Sequence, residues 1–184
     1  MGINILLNDE STFEVIVNLH EGSNQITILA TDVLGNQSSA AVTINSDVTA
    51  PVFNFNDYPE LTRFSEVELS GGVSDENTGV AAVTLRQGNS EVGVQILTGH
   101  FSQTVALIEG QNSLTFTATD RVGNSRSSTL LVNLDSVSPT VGFIPEEAQL
   151  LRDSTTTIEV SYEDDNSGIE RVFWEYGSET SEMD

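Results

Sequence analysis

The sequence predicts an all-β chain of tandem sandwich repeats, and three observations carry that expectation. A long segment recurs at a fixed spacing. Short runs alternate apolar with polar residues, and Gly, Asn and Asp punctuate those runs with no sustained helical period between them.

The recurrence spans Glu21-Gly22-Ser23-Asn24-Gln25-Ile26-Thr27-Ile28-Leu29-Ala30-Thr31-Asp32, which returns 88 positions later as Glu109-Gly110-Gln111-Asn112-Ser113-Leu114-Thr115-Phe116-Thr117-Ala118-Thr119-Asp120. At the same spacing Phe13, Val17 and Leu19 return as Phe101, Val105 and Leu107, Gly35-Asn36 as Gly123-Asn124, and Pro51 as Pro139. A second pair carries one inserted residue: Asp75-Glu76-Asn77-Thr78-Gly79-Val80 is answered 89 positions on by Asp164-Asp165-Asn166-Ser167-Gly168-Ile169. The first pair belongs to the back half of a repeat and the second to its front half. Residues 1–47 therefore read as a C-terminal half, 48–136 as one complete repeat, and 137–184 as the N-terminal half of a further one, so the parent is expected to be longer than this chain.

Within 48–136 the alternating runs place strands at 51–55, 66–73, 80–86, 92–97, 101–107, 113–119 and 127–134. Period-2 alternation turns Val67 and Leu69, Val83 and Leu85, Val92, Val94 and Ile96, Val105 and Leu107, Leu114, Phe116 and Ala118, then Leu130, Val132 and Leu134 inward. Thr115, Thr117 and Thr119 then face outward, where β-branched polar residues suit a solvated sheet. Seven short strands in one repeat is the number expected of an immunoglobulin-like β-sandwich, since two packed sheets bury both inward sets. The segments 45–51 and 133–139 are short, proline-ended linkers that favour an elongated array.

Composition narrows the function. There is no cysteine among the 184 residues, which removes disulfides, thiolate nucleophiles and cysteine-ligated metals. The net charge of -22 arises from 28 acidic against 6 basic residues, all of the latter arginine. Such a surface repels phosphate backbones and anionic lipid, so nucleic-acid and membrane-surface binding are not expected, and cations are its natural partners. Membrane insertion is not expected because the apolar residues are too dispersed for a span. Saline surroundings would screen its self-repulsion. No apolar run reaches the length of a membrane span or a signal-peptide core, so a secretion signal or anchor would lie elsewhere in the parent.

The quoted back-half motif, from 13 to 36 and again from 101 to 124, resembles bacterial Ig-like repeats, in particular the type similar to the B domain of glucodextranase. Leu34 and Val122 depart from the small residues common before Gly-Asn, and His20 stands where Ile108 is apolar. The resemblance implies a non-catalytic β-sandwich of secreted enzymes, adhesins and large surface proteins.

The motifs read first as chain-turning devices. In Glu-Gly-x-Asn, Gly22 and Gly110 can take positive φ, while Asn24 and Asn112 can hydrogen-bond loop backbone. In Asp-x-x-Gly-Asn, Asp32 and Asp120 can cap the amides of a hairpin loop. Clustered oxygen donors also suit calcium, and the candidate ligands are Asp75, Glu76, Asn77, Asp120, Asp135, Asp164 and Asp165, with Asp47 a further carboxylate in the first linker. Neither an EF-hand nor a nonapeptide calcium motif is present.

Catalysis is not expected. His20 and His100 face Ile108 and Thr12 at the equivalent positions, no nucleophile-elbow pattern occurs, and paired carboxylates need a shared cleft. Trp174 aligns with Leu85 and is expected in the core, with Phe173 and Tyr176 on the other face or the edge, where they could stack on a glycan. The expected role is a structural or adhesion module outside the cell or on its surface, partnered by neighbouring repeats and by surface glycans or other cell-surface proteins. The rival is a glycan-binding accessory module of a secreted carbohydrate-active enzyme.

Overall fold

A computed structural model describes residues 12–144, 155–177 and 179–183. It divides into two compact units, Met1–Thr49 and Ala50–Asp184. The described residues hold strands and no helix.

In the first unit β1 (Gly22–Thr31) and β2 (Gln37–Ser46) form an antiparallel hairpin, paired from Gly22↔Ser46 to Thr31↔Gln37.

The second unit begins with a two-sheet sandwich. Its strands are β3 (Val52–Phe55), β4 (Leu61–Thr62), β5 (Glu66–Ser74), β6 (Val80–Gln87), β7 (Ser90–Val94), β8 (Ile96–Leu97), β9 (His100–Ala106), β10 (Gly110–Asp120) and β11 (Ser125–Leu134). One sheet runs β4-β11-β10-β6-β7 and the other β3-β5-β9-β8. The inward alternation of the central strands explains the stacking. Val67, Leu69 and Val73 from β5, Phe101 and Val105 from β9, Leu114, Phe116 and Ala118 from β10, and Leu130, Val132 and Leu134 from β11 share one buried core.

Phenylalanine rings tie the sheets together. Phe116 is fully buried, with ring centroids 5.3 Å from Phe55 and 5.3 Å from Phe101. Burying one such ring contributes about 2–3 kcal/mol. On the outer face Thr115 pairs with Thr129 at 2.9 Å and Thr117 with Ser127 at 2.8 Å, hydroxyl to hydroxyl, as the outward alternation predicts.

Two expectations are corrected. The run 92–97 divides into β7 and β8, which belong to different sheets, and Val92 is 48% exposed although it has the same inward parity as buried Val94. The reason is position: β7 is the edge of its sheet, so Val92 has a strand on one side only, while its partner Leu85, flanked by β7 and β10, is buried. Second, β4 adds a short edge strand parallel to β11, through Asn133↔Leu61 and Leu134↔Thr62, so the first part of the sandwich repeat, β3 and β4, contributes to both sheets.

Beyond the sandwich, β12 (Thr140–Ile144) pairs with β13 (Glu159–Glu163), and β14 (Val172–Tyr176) with β15 (Glu179–Met183). These registers repeat those of the sandwich. Thr140↔Glu163 and Phe143↔Val160 reproduce Val52↔Ser74 and Phe55↔Gly71, displaced by 88 on one strand and 89 on the other. Val172↔Met183 reproduces Val83↔Val94, displaced by 89 on both, and every pair of β1–β2 reproduces one of β10–β11, displaced by 88.

Candidate functional site

The recurring motifs sit at the strand ends, where backbone amides need partners. At the β10–β11 turn, Asp120 Oδ1 accepts the N–H groups of Val122, Gly123 and Asn124 at 2.9, 2.7 and 2.8 Å, and Oδ2 accepts the Asn124 side-chain amide at 2.7 Å. Gly123 takes φ 102 there, as Gly35 takes φ 89 in the matching turn of the first unit, where Asp32 Oδ1 accepts Leu34 and Asn36.

These contacts govern the charge on the carboxylates. Burial acts to raise the pKa of Asp120, but the Asn124 side chain and the three amides outweigh it and hold the group below its ordinary 3.8. Asp32 is lowered chiefly by the Asn36 side chain.

Asp75 and Asp164 cap the equivalent β5–β6 and β13–β14 loops. Asp75 Oδ1 accepts Thr78 and Gly79 at 3.0 and 2.8 Å, and Asp164 Oδ1 accepts Ser167 and Gly168 at 3.0 and 2.7 Å. Such caps satisfy loop amides that would otherwise face a carboxylate-rich surface unpaired.

The linker after β11 is fastened along its length. Asp135, nine-tenths buried, accepts Val137 N–H on Oδ1 at 3.2 Å and Ser167 N–H on Oδ2 at 2.8 Å. The Ser167 side chain is the main cause that lowers the Asp135 pKa, against the opposing effect of burial. Asn166 bridges back to β11, accepting from the Asn133 side chain at 2.9 Å and donating to Leu134 C=O at 3.0 Å. Glu109 accepts the Ser136 hydroxyl at 2.7 Å. Within the first unit Glu21 likewise accepts Val48 N–H at 3.0 Å, and Asp47 accepts Thr49 N–H at 3.1 Å.

The seven candidate ligands thus fall into separate places. Asp75 and Asp120 bring carboxylate oxygens within 4.8 Å of each other. Asp135, Asp164 and Asp165 instead line a concavity of about 500 Å³ that also receives Glu109, Glu163 and Asn166. The two places lie at opposite ends of the β10–β11 hairpin, roughly 30 Å apart along a ten-residue strand. Glu76 and Asn77 point outward as exposed loop residues. A carboxylate has about four lone-pair directions, so Asp75, which accepts Thr78 and Gly79 on Oδ1, retains room for a cation. Asp120, by contrast, has its Oδ1 filled and its Oδ2 on the Asn124 amide, and Asp135 already accepts from Val137 and from the amide and side chain of Ser167.

Sequence reasoning passed over Glu109 and Glu163. The recurrence of Glu21 as Glu109 was the available signal. Trp174 is 45% exposed rather than in a core, although its counterpart Leu85 is 3% exposed. Strand alternation places Tyr176 on the same face as Trp174, with Phe173 alone on the other.

Sheet order and turn chemistry define the class: this is an all-β chain of immunoglobulin-like β-sandwich architecture. No family model matches it. Among curated proteins, Bacillopeptidase F of Bacillus subtilis (strain 168) is 24% identical over 147 residues, which are 78% of this chain and 10% of that protein. The chain therefore spans about a tenth of that relative's length. Among solved structures, the PKD1 domain of Vibrio anguillarum Epp matches with 21% identity and a TM-score of 0.37 over 47% of this chain and 98% of that one. The fibronectin(III)-like modules of Clostridium thermocellum CbhA match with 10% identity and a TM-score of 0.44 over 65% of each chain. CBM31 from a beta-1,3-xylanase matches with 18% identity and a TM-score of 0.32 over 46% of this chain and 92% of that one. No helix of the described residues is long and apolar enough to cross a membrane.

Proposed function

We propose that the chain is a non-catalytic extracellular structural or adhesion module, a spacer segment of a larger bacterial surface or secreted protein, with repeats of the type resembling the B domain of glucodextranase. Its repeats are 48–136, complete, flanked by the back half 1–47 and the front half 137–184. One observation carries this reading: the linker after β11 is held from both sides, by Asp135 on Ser167 and by Asn166 on Asn133 and Leu134. A spacer transmits distance only when successive repeats keep their angle. A linker fastened by polar contacts on both sides, two of them part-buried, does this, where a free Gly/Ser linker would not.

The remaining features fit the same role. The recurring residues turn the chain or cap its amides. The match to a tenth of a much longer relative supports a module within a long protein. The net charge of -22 favours solubility and disfavours nucleic acid. The clustered carboxylates would take calcium as a further stiffener, with Asp135, Asp164 and Asp165 at one end of the complete repeat and Asp75 and Asp120 at the other.

A second reading, a glycan-binding accessory module, has its own observation: Phe173 is 64% and Tyr176 80% exposed. Electrophoresis of the chain through gels containing soluble polysaccharides separates the two. The spacer reading predicts unchanged mobility across the panel. Retardation that Tyr176→Ala or Phe173→Ala abolishes would replace it with the accessory reading.

A further inference from the structure

The complete repeat is entered and left at opposite ends. Val52 opens β3 across from Ser74, at the end where Asp75 and Asp120 meet, whereas β11 finishes beside Gly110, the start of β10. Tension along the chain therefore draws the first strands toward one end of the sandwich and the last strand toward the other.

The entry side is tied directly to the exit strand. β3 ends at Phe55, and the chain then crosses to the other sheet, where β4 lies parallel to β11. Asn133 N–H donates to Glu60 C=O at 2.8 Å, and Asp135 N–H donates to Thr62 C=O at 2.9 Å. Leu61 is 51% exposed, so burial does little to hold β4 and the backbone bonds hold it instead. Because the two strands are parallel, tension pulls β4 back toward its N-terminus and β11 on toward its C-terminus, sliding one past the other. The bonds run across that direction and share the load. β3 is loaded the same way against β5, from Val52↔Ser74 to Phe55↔Gly71.

Asp135 joins this arrangement to the linker. Its N–H holds the last rung on β4, while its carboxylate accepts the N–H groups of Val137 and Ser167. Tension arriving through the linker is delivered at the foot of the β4–β11 pair. We infer that β4–β11 is a shear clamp, which makes the complete repeat a force-bearing element between its two ends. The inference rests on the spacer reading for its use and adds to it the direction of the load.

Single-molecule stretching of the 184-residue chain tests this, and the absence of cysteine lets paired Cys substitutions fix the points of pull. Val48→Cys with Val137→Cys, both at exposed positions, loads β4 against β11 in shear. Arg63→Cys with Val137→Cys pulls the adjacent ends of the same two strands apart, so their bonds open one after another. The first pair is expected to unfold the sandwich at a several-fold higher force than the second. A released length of roughly 3.3–3.6 Å per residue between the handles marks the event. Asn133→Pro, which deletes one clamp donor on an edge-facing backbone group, lowers the force of the first pair. Asn133→Ala keeps that donor and loses only the Asn166 contact, and leaves the force unchanged. If Asn133→Pro does not fold, Asp57→Cys with Val137→Cys replaces it. That handle bypasses β3 and should keep the high force, because β4–β11 then carries the entry side alone. The clamp is overturned by equal force in both directions, by an Asn133→Pro chain as strong as the wild type, by an equal loss in Asn133→Ala, or by a low force from Asp57. Each of these leaves the spacer reading standing, since that reading fails instead on an unprotected Ser167 amide.

Discussion

Asn112 grips the backbone of Ile108 from both sides, accepting its N–H on Oδ1 at 3.0 Å and donating Nδ2 to its C=O at 2.8 Å. The same side chain reaches Gly110 C=O and accepts from Gln87, and it is 2% exposed. Asn24 makes the matching pair with His20 at 2.8 and 2.7 Å, but in a hairpin open to water. Asn112→Ala is therefore expected to lower stability by about 2–3 kcal/mol, because it strands buried backbone groups. Asn24→Ala should cost less than about 1 kcal/mol, since water takes over. Urea unfolding of the full chain measures both, and equal losses would contradict the burial argument.

Gly71 and Gly72 are neighbours with opposite tolerance. A Cβ at Gly71 would meet Asn54 O at 2.6 Å and Phe55 Cα at 2.9 Å, both backbone atoms of β3, whereas the nearest atom at Gly72 lies 3.8 Å away. Gly71→Ala is expected to cost about 1–3 kcal/mol by pushing β3 off β5, and Gly72→Ala less than about 0.5 kcal/mol. Thermal unfolding of the two variants side by side gives the difference, and a tolerated Gly71→Ala would show that β3 can move.

Acid should weaken the fold through its turn caps. Asp120 is held below its ordinary 3.8 because Asn124 and the turn amides outweigh burial, and Asp32 and Asp135 are lowered as well. A carboxyl whose folded pKa lies below the unfolded one contributes stability above the unfolded value and loses it as pH falls through the folded value. Stability should hold from neutral pH to about 4 and decline below it. Asp120→Asn should be less stable at neutral pH, since its amide would face that of Asn124, and should show a shallower acid decline. A decline as steep as that of the wild type would remove Asp120 as a source.

Calcium is expected to raise the thermal midpoint relative to chelator, by about 2.7 kcal/mol of added stability at a hundredfold excess over the dissociation constant of one site. Asp75→Asn should reduce the gain at one end of the repeat, and Asp164→Asn at the other. A midpoint indifferent to calcium would eliminate the cation as a stiffener.

The hairpin β10–β11 was legible because Leu114, Phe116 and Ala118 alternate with threonines long enough to show a period of two, and all three are buried. The Asn and Asp turn roles were legible because each motif occurs twice with Gly at the same offset. β4 was not, since Leu61–Thr62 is too short to carry a period. Val92 was misplaced because parity tells which face a side chain takes, not whether its strand lies at the edge of the sheet. At the site, the carboxylates were visible as residue types, but the partnership of Glu109 with Ser136 spans 27 positions and that of Asp135 with Ser167 spans 32. Only the strand registers bring such pairs together.

The fastened linker is the centre of the account, and native-state amide exchange at Ser167 tests it most directly. Ser167 N–H is shared between Asp164 and Asp135, while Gly168 N–H is held by Asp164. The wild-type chain should protect both amides, and Asp135→Ala should speed exchange at Ser167 by about tenfold while leaving Gly168 and the Phe116 amide unchanged. A Ser167 amide that exchanges at the unprotected rate in the wild-type chain, or that ignores the loss of Asp135, would mean that the linker is free and the segment is no spacer.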